Sequence, residues 1–389
     1  MNILYTGAFR FPDIDAASQR VLSNAKLARD LGHNVIFCGW EKLIDQNPNT
    51  YKGFNYYSQS ELDIKTNNPF KKIFNFLFRG KKTLRWINEY VKSTKIDIII
   101  IYNSGFYFTK KLIDFGKTNN INVIVDCTEW YDGSHLPGGK YGIVNLENTI
   151  RMYYLLPRVK NLIVISSFLE KFYRKKKCNI IRIPPLVDLK DEKWTRTNAL
   201  QQKINDKIVI IYAGDPGKKD ILKLVLDALE VINSEEIKII FKIIGINEND
   251  LINNLVVSYV PSFVNCIGRI KMDEVPFHYH NASYSILIRE DKRYANAGFS
   301  TKLVESLCCG VPIITNSTSD IKNYISNENG YILRELTINE LIEVFTSIIK
   351  ESKFDYIKKS HKAFETSKNY FHYEKYKYEF DDFLNSVIN

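Results

Sequence analysis

The sequence predicts an α/β protein made of two doubly wound parallel-sheet domains. Three observations predict it. Short apolar runs alternate with segments of helical period, once from residue 2 and again from residue 208. At 389 residues the chain is long for a single core, so two domains are the natural division. Between the two series, Pro184 and Pro185 in IRIPPLVD (181–188) force an extended segment and bar a helix, and the polar LKDEKWTRTNALQQKINDK follows as a linker or leading helix. The expected organisation is a first domain over 1–190, a second over 191–370, and a closing helical segment over 371–389.

Composition narrows the class. A hydrophobic content of 45% with 25% charged residues is that of a globular chain. No run reaches the roughly 18 uncharged apolar residues of a membrane-spanning helix. The opening MNILYTGAFRF has neither the basic nor the apolar region of a signal peptide, which predicts a cytoplasmic protein. The six cysteines show no CxxC or zinc spacing, so reduced thiols are expected, with no metal site and no cofactor. Charge is uneven. Residues 1–190 hold 29 Lys/Arg against 16 Asp/Glu, whereas 191–389 hold 25 against 28. The first half therefore faces something anionic.

In chain order, NILYTG (2–7) reads as a strand. The loop AFRFPDIDAASQR leads from it into a helix whose apolar face is Leu22, Ala25, Leu27, Ala28 and Leu31, with Gly32 at its end, and NVIFCGW (34–40) is the next strand. The loop has no G-x-G-x-x-G fingerprint, so dinucleotide binding is not indicated. Asp13 and Asp15 read as a solvated turn. Residues 65–95 carry nine basic residues and one acid, interleaved with Phe70, Ile73, Phe74, Phe76, Leu77, Phe78 and Trp86. That mixture is the signature of an interfacial helix on an anionic membrane. A core-facing helix with a solvated outer face and a pyrophosphate-bearing acceptor stay open beside it. Nucleic acid is the weakest reading, because no binding motif accompanies the charge. IDIIIIYN (96–103) is apolar throughout, as a buried parallel strand is. INVIVDCTEW ends at Asp126, Cys127, Thr128 and Glu129, where open α/β sheets place functional groups.

The second series runs IVIIYAG (208–214), a helix ILKLVLDALEVI, KIIFKIIG (238–245), FVNCIGR (263–269), YSILIRE (284–290), VPIITN (311–316) and GYIL (330–333). The turn from Ala213 to Asp220 joins strand to helix at Gly214, where a missing Cβ lets backbone approach phosphate oxygens. The densest stretch is RYANAGFSTKLVESLCCGVPIITN (293–316). It predicts a helix with Ser300 as N-cap and Gly310 in the left-handed terminal position. The helix entrance offers unpaired N–H groups, the Ser300 and Thr301 hydroxyls and the Lys302 ammonium, which suits phosphate. Glu305 lies on the same face as Thr301. Together they suit a nucleoside diphosphate, its ribose hydroxyls on the Glu305 carboxylate. From Thr337 the chain is helical, opened by a Thr337–Glu340 capping box.

AGFSTKLVESLCCGVPII resembles the Glu-x7-Glu segment of the family 4, group 1 glycosyltransferases, retaining enzymes of GT-B fold, in the variant G-x-P-T-K-x-x-E-x-L-A-x-G-x-P. The resemblance implies two Rossmann-like domains with an interdomain cleft. It places the donor ribose on Glu305, and it puts Ala297 where the family's first Glu contacts the sugar. The 213–220 turn resembles G-R-x-x-x-x-K-G, one residue shorter and with Asp215 in the Arg position. This assigns the leaving-group cation to Lys219, with Lys218 in reserve, and leaves Arg289 to supply the second cation. Arg269 falls near the nucleotide base, and Asn296 joins Gly214, Ser300, Thr301 and Lys302 in the donor set. In the first domain, Ala17, Ser18 and Arg20 occupy the loop that approaches donor phosphates and acceptor. Asp126, Thr128 and Glu129 occupy a segment that commonly reads D-x-H-E.

The resemblance implies transfer of a sugar from a nucleotide-diphosphate donor with retention, without metal, to a glycan or lipid-linked acceptor. Thr128 and Glu129 would meet sugar or acceptor. The Lys-, Asn- and Ile-rich composition suits a bacterial surface-polysaccharide or glycoprotein glycan pathway, with the enzyme peripheral on the inner face of the cell membrane. Two alternatives stay open. One is a GT-B relative acting as a nucleotide-sugar epimerase. The other is a non-catalytic partner of that fold, which the departures at Ala297, Asp215 and Thr128 favour.

Overall fold

The computed structural model describes residues 1–42, 48–62, 66–194, 207–217, 219–255 and 257–388. The described strands form two sheets, one in each of two compact units. Met1–Leu186, Ala297–Phe299 and Tyr373–Asn389 make the first unit; Val187–Asn296 and Ser300–His372 make the second.

The first sheet contains β1 (Asn2–Gly7), β2 (Asn34–Gly39), β3 (Asn49–Tyr51), β4 (Phe54–Ser58), β5 (Ile98–Tyr102), β6 (Asn122–Cys127), β7 (Asn161–Val164) and β8 (Asn179–Arg182). Their order is β3-β4-β2-β1-β5-β6-β7-β8. All neighbours run parallel except β3 and β4, a hairpin turning at Lys52 and Gly53, both with positive φ. Central β5 buries all five residues, which is why its sequence shows no alternation. The chain leaves β1 for β2 on one side and reaches β5 on the other, so the carboxyl ends of β1 and β5 form the topological switch point. Helix Ala16–Asp30 is capped by Asp15, which accepts from Ser18 N at 3.0 Å, so the second carboxylate of the Asp13-x-Asp15 pair is a helix cap. Val21, Leu22, Ala25, Leu27 and Ala28 of this helix share one core with Phe380, Phe383, Leu384 and Val387 of helix Lys377–Ile388.

The second sheet contains β9 (Ile208–Ala213), β10 (Ile239–Ile244), β11 (Val264–Gly268), β12 (Tyr284–Leu287), β13 (Ile313–Asn316) and β14 (Gly330–Leu333), ordered β11-β10-β9-β12-β13-β14 and parallel throughout. Ile210, Tyr212, Phe241 and Ile243 pack with Val225 and Leu229 from helix Leu222–Ile232 and with Leu341 and Phe345 from helix Ile338–Lys350. Here the winding reverses between β9 and β12. Open α/β sheets bind ligands beyond the carboxyl ends of strands at such a point.

Candidate functional site

Beyond the ends of β9 and β12 the structure assembles one charged cluster. The turn after β9 carries Asp220 back to β12, where Asp220 and Arg289 form an isolated antiparallel bridge and Ile221 N donates to Ile288 O at 2.9 Å. The Asp220 side chain is 1% exposed, and three groups converge on it. Arg289 Nε donates to Oδ1 at 2.5 Å; Lys302 Nζ donates to Oδ2 at 3.0 Å; the Tyr212 hydroxyl also donates to Oδ2. Arg289 is fixed from behind, its N–H donating to Asn316 Oδ1 at 2.9 Å and its carbonyl accepting from Asn316 Nδ2 at 2.7 Å. The Lys302 ammonium lies over the Tyr212 ring, 5.0 Å from its centroid.

Gly214 has a role here that the sequence did not reveal. Its φ is +134°, and a Cβ at that position would stand 2.6 Å from Lys302 Cε. The missing side chain leaves room for the Lys302 stem, in addition to any approach by ligand.

Helix Thr301–Cys308 begins with Ser300 extended at its N-cap, but the Ser300 side chain makes no capping hydrogen bond. The first-turn N–H groups are therefore not closed by the residue placed to close them. Thr301 and Glu305 stand one turn apart on this helix. Burial pushes the Glu305 carboxyl up, against the opposing pull of Lys302, Lys193 and the Thr301 hydroxyl. Burial likewise lowers the Lys302 ammonium, and Asp220 resists that shift while Arg289 adds to it. Burial alone would raise Asp220, but Lys302 and Arg289 outweigh it and hold the carboxyl at about 2. The cluster is thus an ionised Asp between two cations, with a carboxylate one helical turn away.

Of the other residues expected here, Arg269 is exposed and sits 3.8 Å from Asp215. Lys219 gives its backbone carbonyl to the Tyr294 hydroxyl at 3.2 Å. Asn296 binds Asp291 at 2.5 Å and accepts from Ser319 N at 2.8 Å. Lys218 lies outside the described residues. Asp220, Tyr212 and Asn316 were missed by the sequence reading. Asp220 carries no signal of its own, since an Asp at a turn's end ordinarily reads as a solvated residue.

In the first unit, the residues expected near the acceptor are turned inward. Arg20 reaches Asp126 through Nη2 at 2.7 Å and through Nε at 3.0 Å to both oxygens, with both side chains buried. Tyr5 donates to Asp126 at 2.6 Å and Asn24 at 3.3 Å, while Arg20 Nη1 reaches the carbonyls of Ile183 and Pro184. The network ties β1, β6 and the first helix to the end of β8. Ser18 is buried within the helix cap and Ala17 packs against the core. Thr128 is buried, and its hydroxyl has no hydrogen-bond partner among the described residues, while burial and then the nearby Glu129 carboxylate push the Tyr131 hydroxyl up.

Helix Pro69–Leu77 leaves its aromatic residues in solvent: Phe70 is 81% and Phe74 52% exposed. Lys81 Nζ stands 5.1 Å from the Phe74 ring centroid and 5.3 Å from that of Phe78, and Arg79 lies over Phe76. Helix Ile143–Ile150 lies beside it and exposes Ile143 and Leu146. Trp86 is not part of this face, because it stacks on Tyr90 and packs on Tyr57.

Among the described residues, no His, Cys, Asp and Glu group could hold a metal ion, and no helix is long and apolar enough to cross a membrane.

Residues 195–369 match the family described as glycosyl transferases group 1. No curated protein matches the chain in sequence. Among solved structures, sucrose-phosphate synthase from Thermosynechococcus elongatus superposes at a TM-score of 0.76, with 12% identity, over 100% of this chain and 99% of that one. WaaG, a glycosyltransferase involved in lipopolysaccharide biosynthesis, gives 0.66 at 13% identity over 98% and 99%. Anabaena HepE in complex with UDP and glucose gives 0.68 at 12% identity over 99% and 100%.

Proposed function

We propose that the protein, whose residues 195–369 match the group 1 glycosyltransferases and whose fold matches theirs, transfers a sugar from a nucleotide-diphosphate donor with retention at the anomeric carbon. The observation that carries this reading is the convergence of Lys302 and Arg289 at the head of helix Thr301–Cys308. Two cations and a helix entrance suit a diphosphate, and Glu305, one turn along the same helix, would take the ribose hydroxyls. That HepE was solved with UDP and with UDP-glucose supports a donor of this class.

The chemistry follows from charge. As the sugar–oxygen bond breaks, negative charge grows on the departing diphosphate. Preorganised N–H groups, the Lys302 ammonium and the Arg289 guanidinium stabilise that charge more than they stabilise the intact donor. Lys219, on the turn after β9, would be a third cation. The fixed cations take the place a divalent metal would fill. Just beyond the carboxyl end of β6, partly exposed Glu129 rather than buried Thr128 is the residue of the first unit that would meet sugar or acceptor.

The acceptor is a glycan or a lipid-linked glycan of bacterial surface-polysaccharide or glycoprotein synthesis, reached at an anionic membrane surface on the cytoplasmic side. Exposed Phe70 and Phe74 with the lysines around them support this placement. The experiment is incubation with a panel of nucleotide sugars and bacterial lipid extract, with and without chelator, reading product and anomeric configuration by NMR. Retention that survives chelator is expected. An inverted product, or activity abolished by chelator, overturns the mechanism; donor consumed without acceptor overturns the transferase reading in favour of an epimerase.

A further inference from the structure

We infer that Asp220 is a positioning residue of the donor site: a fixed carboxylate that holds the Lys302 ammonium and the Arg289 guanidinium side by side before a diphosphate reaches them. The inference rests on the donor reading above for its purpose. Its geometry stands alone.

Two like charges brought together in a partly buried site repel, and burial favours loss of the lysine proton. The structure meets this with a carboxylate that no ligand can reach, its side chain 1% exposed, while Lys302 and Arg289 keep 16% and 14% of theirs in solvent. Each carboxylate oxygen is committed, Oδ1 to Arg289 and Oδ2 to Lys302 and Tyr212. Asp220 cannot drift, because its backbone bridges Arg289 and the next N–H is held by Ile288 O. Lys302 is confined as well, its stem packed where a Gly214 side chain would otherwise stand. The sum is a site that presents two oriented cations at the cost of one hidden negative charge. The charged and titratable groups around Lys302 are Asp220, Arg289, Glu305 and Tyr212, with the Tyr279 hydroxyl on its carbonyl. Tyr294 faces Asp220 and Arg289 from the short helix Arg293–Ala297, and Glu290 and Lys292 face Tyr294.

The test reads the protonation of Lys302 directly. Amine-reactive labelling with trinitrobenzenesulfonate across pH, followed by peptide mass spectrometry, gives the midpoint at which Lys302 becomes nucleophilic. Asp220→Asn keeps the side chain's shape and removes its charge. The midpoint is expected to fall by at least one pH unit, so labelling at a fixed pH below the midpoint rises at least tenfold. Arg289→Gln removes the opposing cation and moves the midpoint the other way, which keeps the test decisive should Asp220→Asn fail to fold. Asp220→Glu restores a midpoint close to wild type. UDP titrations follow: for Asp220→Asn the alkaline loss of affinity sets in at least one pH unit earlier than for wild type. An unchanged Lys302 midpoint in both Asp220→Asn and Arg289→Gln overturns the inference. So does a loss of UDP affinity equal at every pH, the mark of a merely structural residue. If Lys302 shifts as expected while wild type binds no diphosphate, Asp220's hold on Lys302 stands and the donor reading fails.

Discussion

Asp126→Asn tests whether the polar residues beneath the first sheet's carboxyl end are structural or substrate-facing. The substitution keeps the side chain's size and removes its charge. Arg20 would then be a buried guanidinium with no counter-ion, since its remaining partners are the carbonyls of Ile183 and Pro184. Breaking a buried ion pair by removing one partner costs about 3–5 kcal/mol, because the orphaned charge stays desolvated. That is a large share of the ~5–15 kcal/mol that holds a domain folded. Urea unfolding followed by tryptophan fluorescence reads it, with Trp40, Trp86 and Trp130 in the first unit and Trp194→Phe silencing the second. Arg20→Met should cost a similar amount. The double variant Arg20→Met/Asp126→Asn should cost clearly less than the two singles together, with a coupling of about 2–3 kcal/mol. Additive losses, or an Asp126→Asn loss below ~1 kcal/mol, would refute the internal pairing. A variant of unchanged stability with depressed turnover would return Asp126 to the substrate.

Two other outcomes follow from single positions. Gly214→Ala forces a Cβ into the Lys302 stem at a φ that L residues rarely adopt, a strain of about 1–3 kcal/mol, and UDP affinity by calorimetry should fall at least tenfold as Lys302 is displaced. Glu41 is buried beyond β2, accepts from Phe11 N at 3.1 Å, and is pushed up to about 7 by burial. Because its folded value lies above its unfolded one, the first unit should lose about 3 kcal/mol as pH rises from 4.5 to 7. Glu41→Gln should flatten that slope in urea unfolding across this range; an unchanged slope would place the titration elsewhere.

The sheets were legible because buried parallel strands such as Ile98–Tyr102 are apolar at every position, and no solvated alternative suits such a run. The β3–β4 hairpin was not, because its residues are mixed and short, and only Lys52 and Gly53 at positive φ define the turn. In the second unit, helix Thr301–Cys308 and the shared face of Thr301 and Glu305 followed from spacing. Asp220 did not, because its meaning arises when three segments separated by up to 82 residues meet. For Arg20 and Asp126, sequence gave the neighbourhood but not the direction: each reads as a polar residue near a strand end, and only their mutual burial shows what they face. For Phe70 and Phe74 the basic setting left an interfacial and a core-facing helix open, and the structure leaves both rings in solvent.

The central claim is that Lys302, Arg289 and Glu305 form a nucleoside-diphosphate site. Isothermal calorimetry of wild type, Glu305→Ala and Lys302→Met against UDP, GDP, CDP and ADP, each with and without magnesium, tests it most directly. The account predicts selective, magnesium-independent binding of one diphosphate, weakened at least tenfold in each variant. No binding of any diphosphate at millimolar concentration, or equal affinity in the variants, would contradict it.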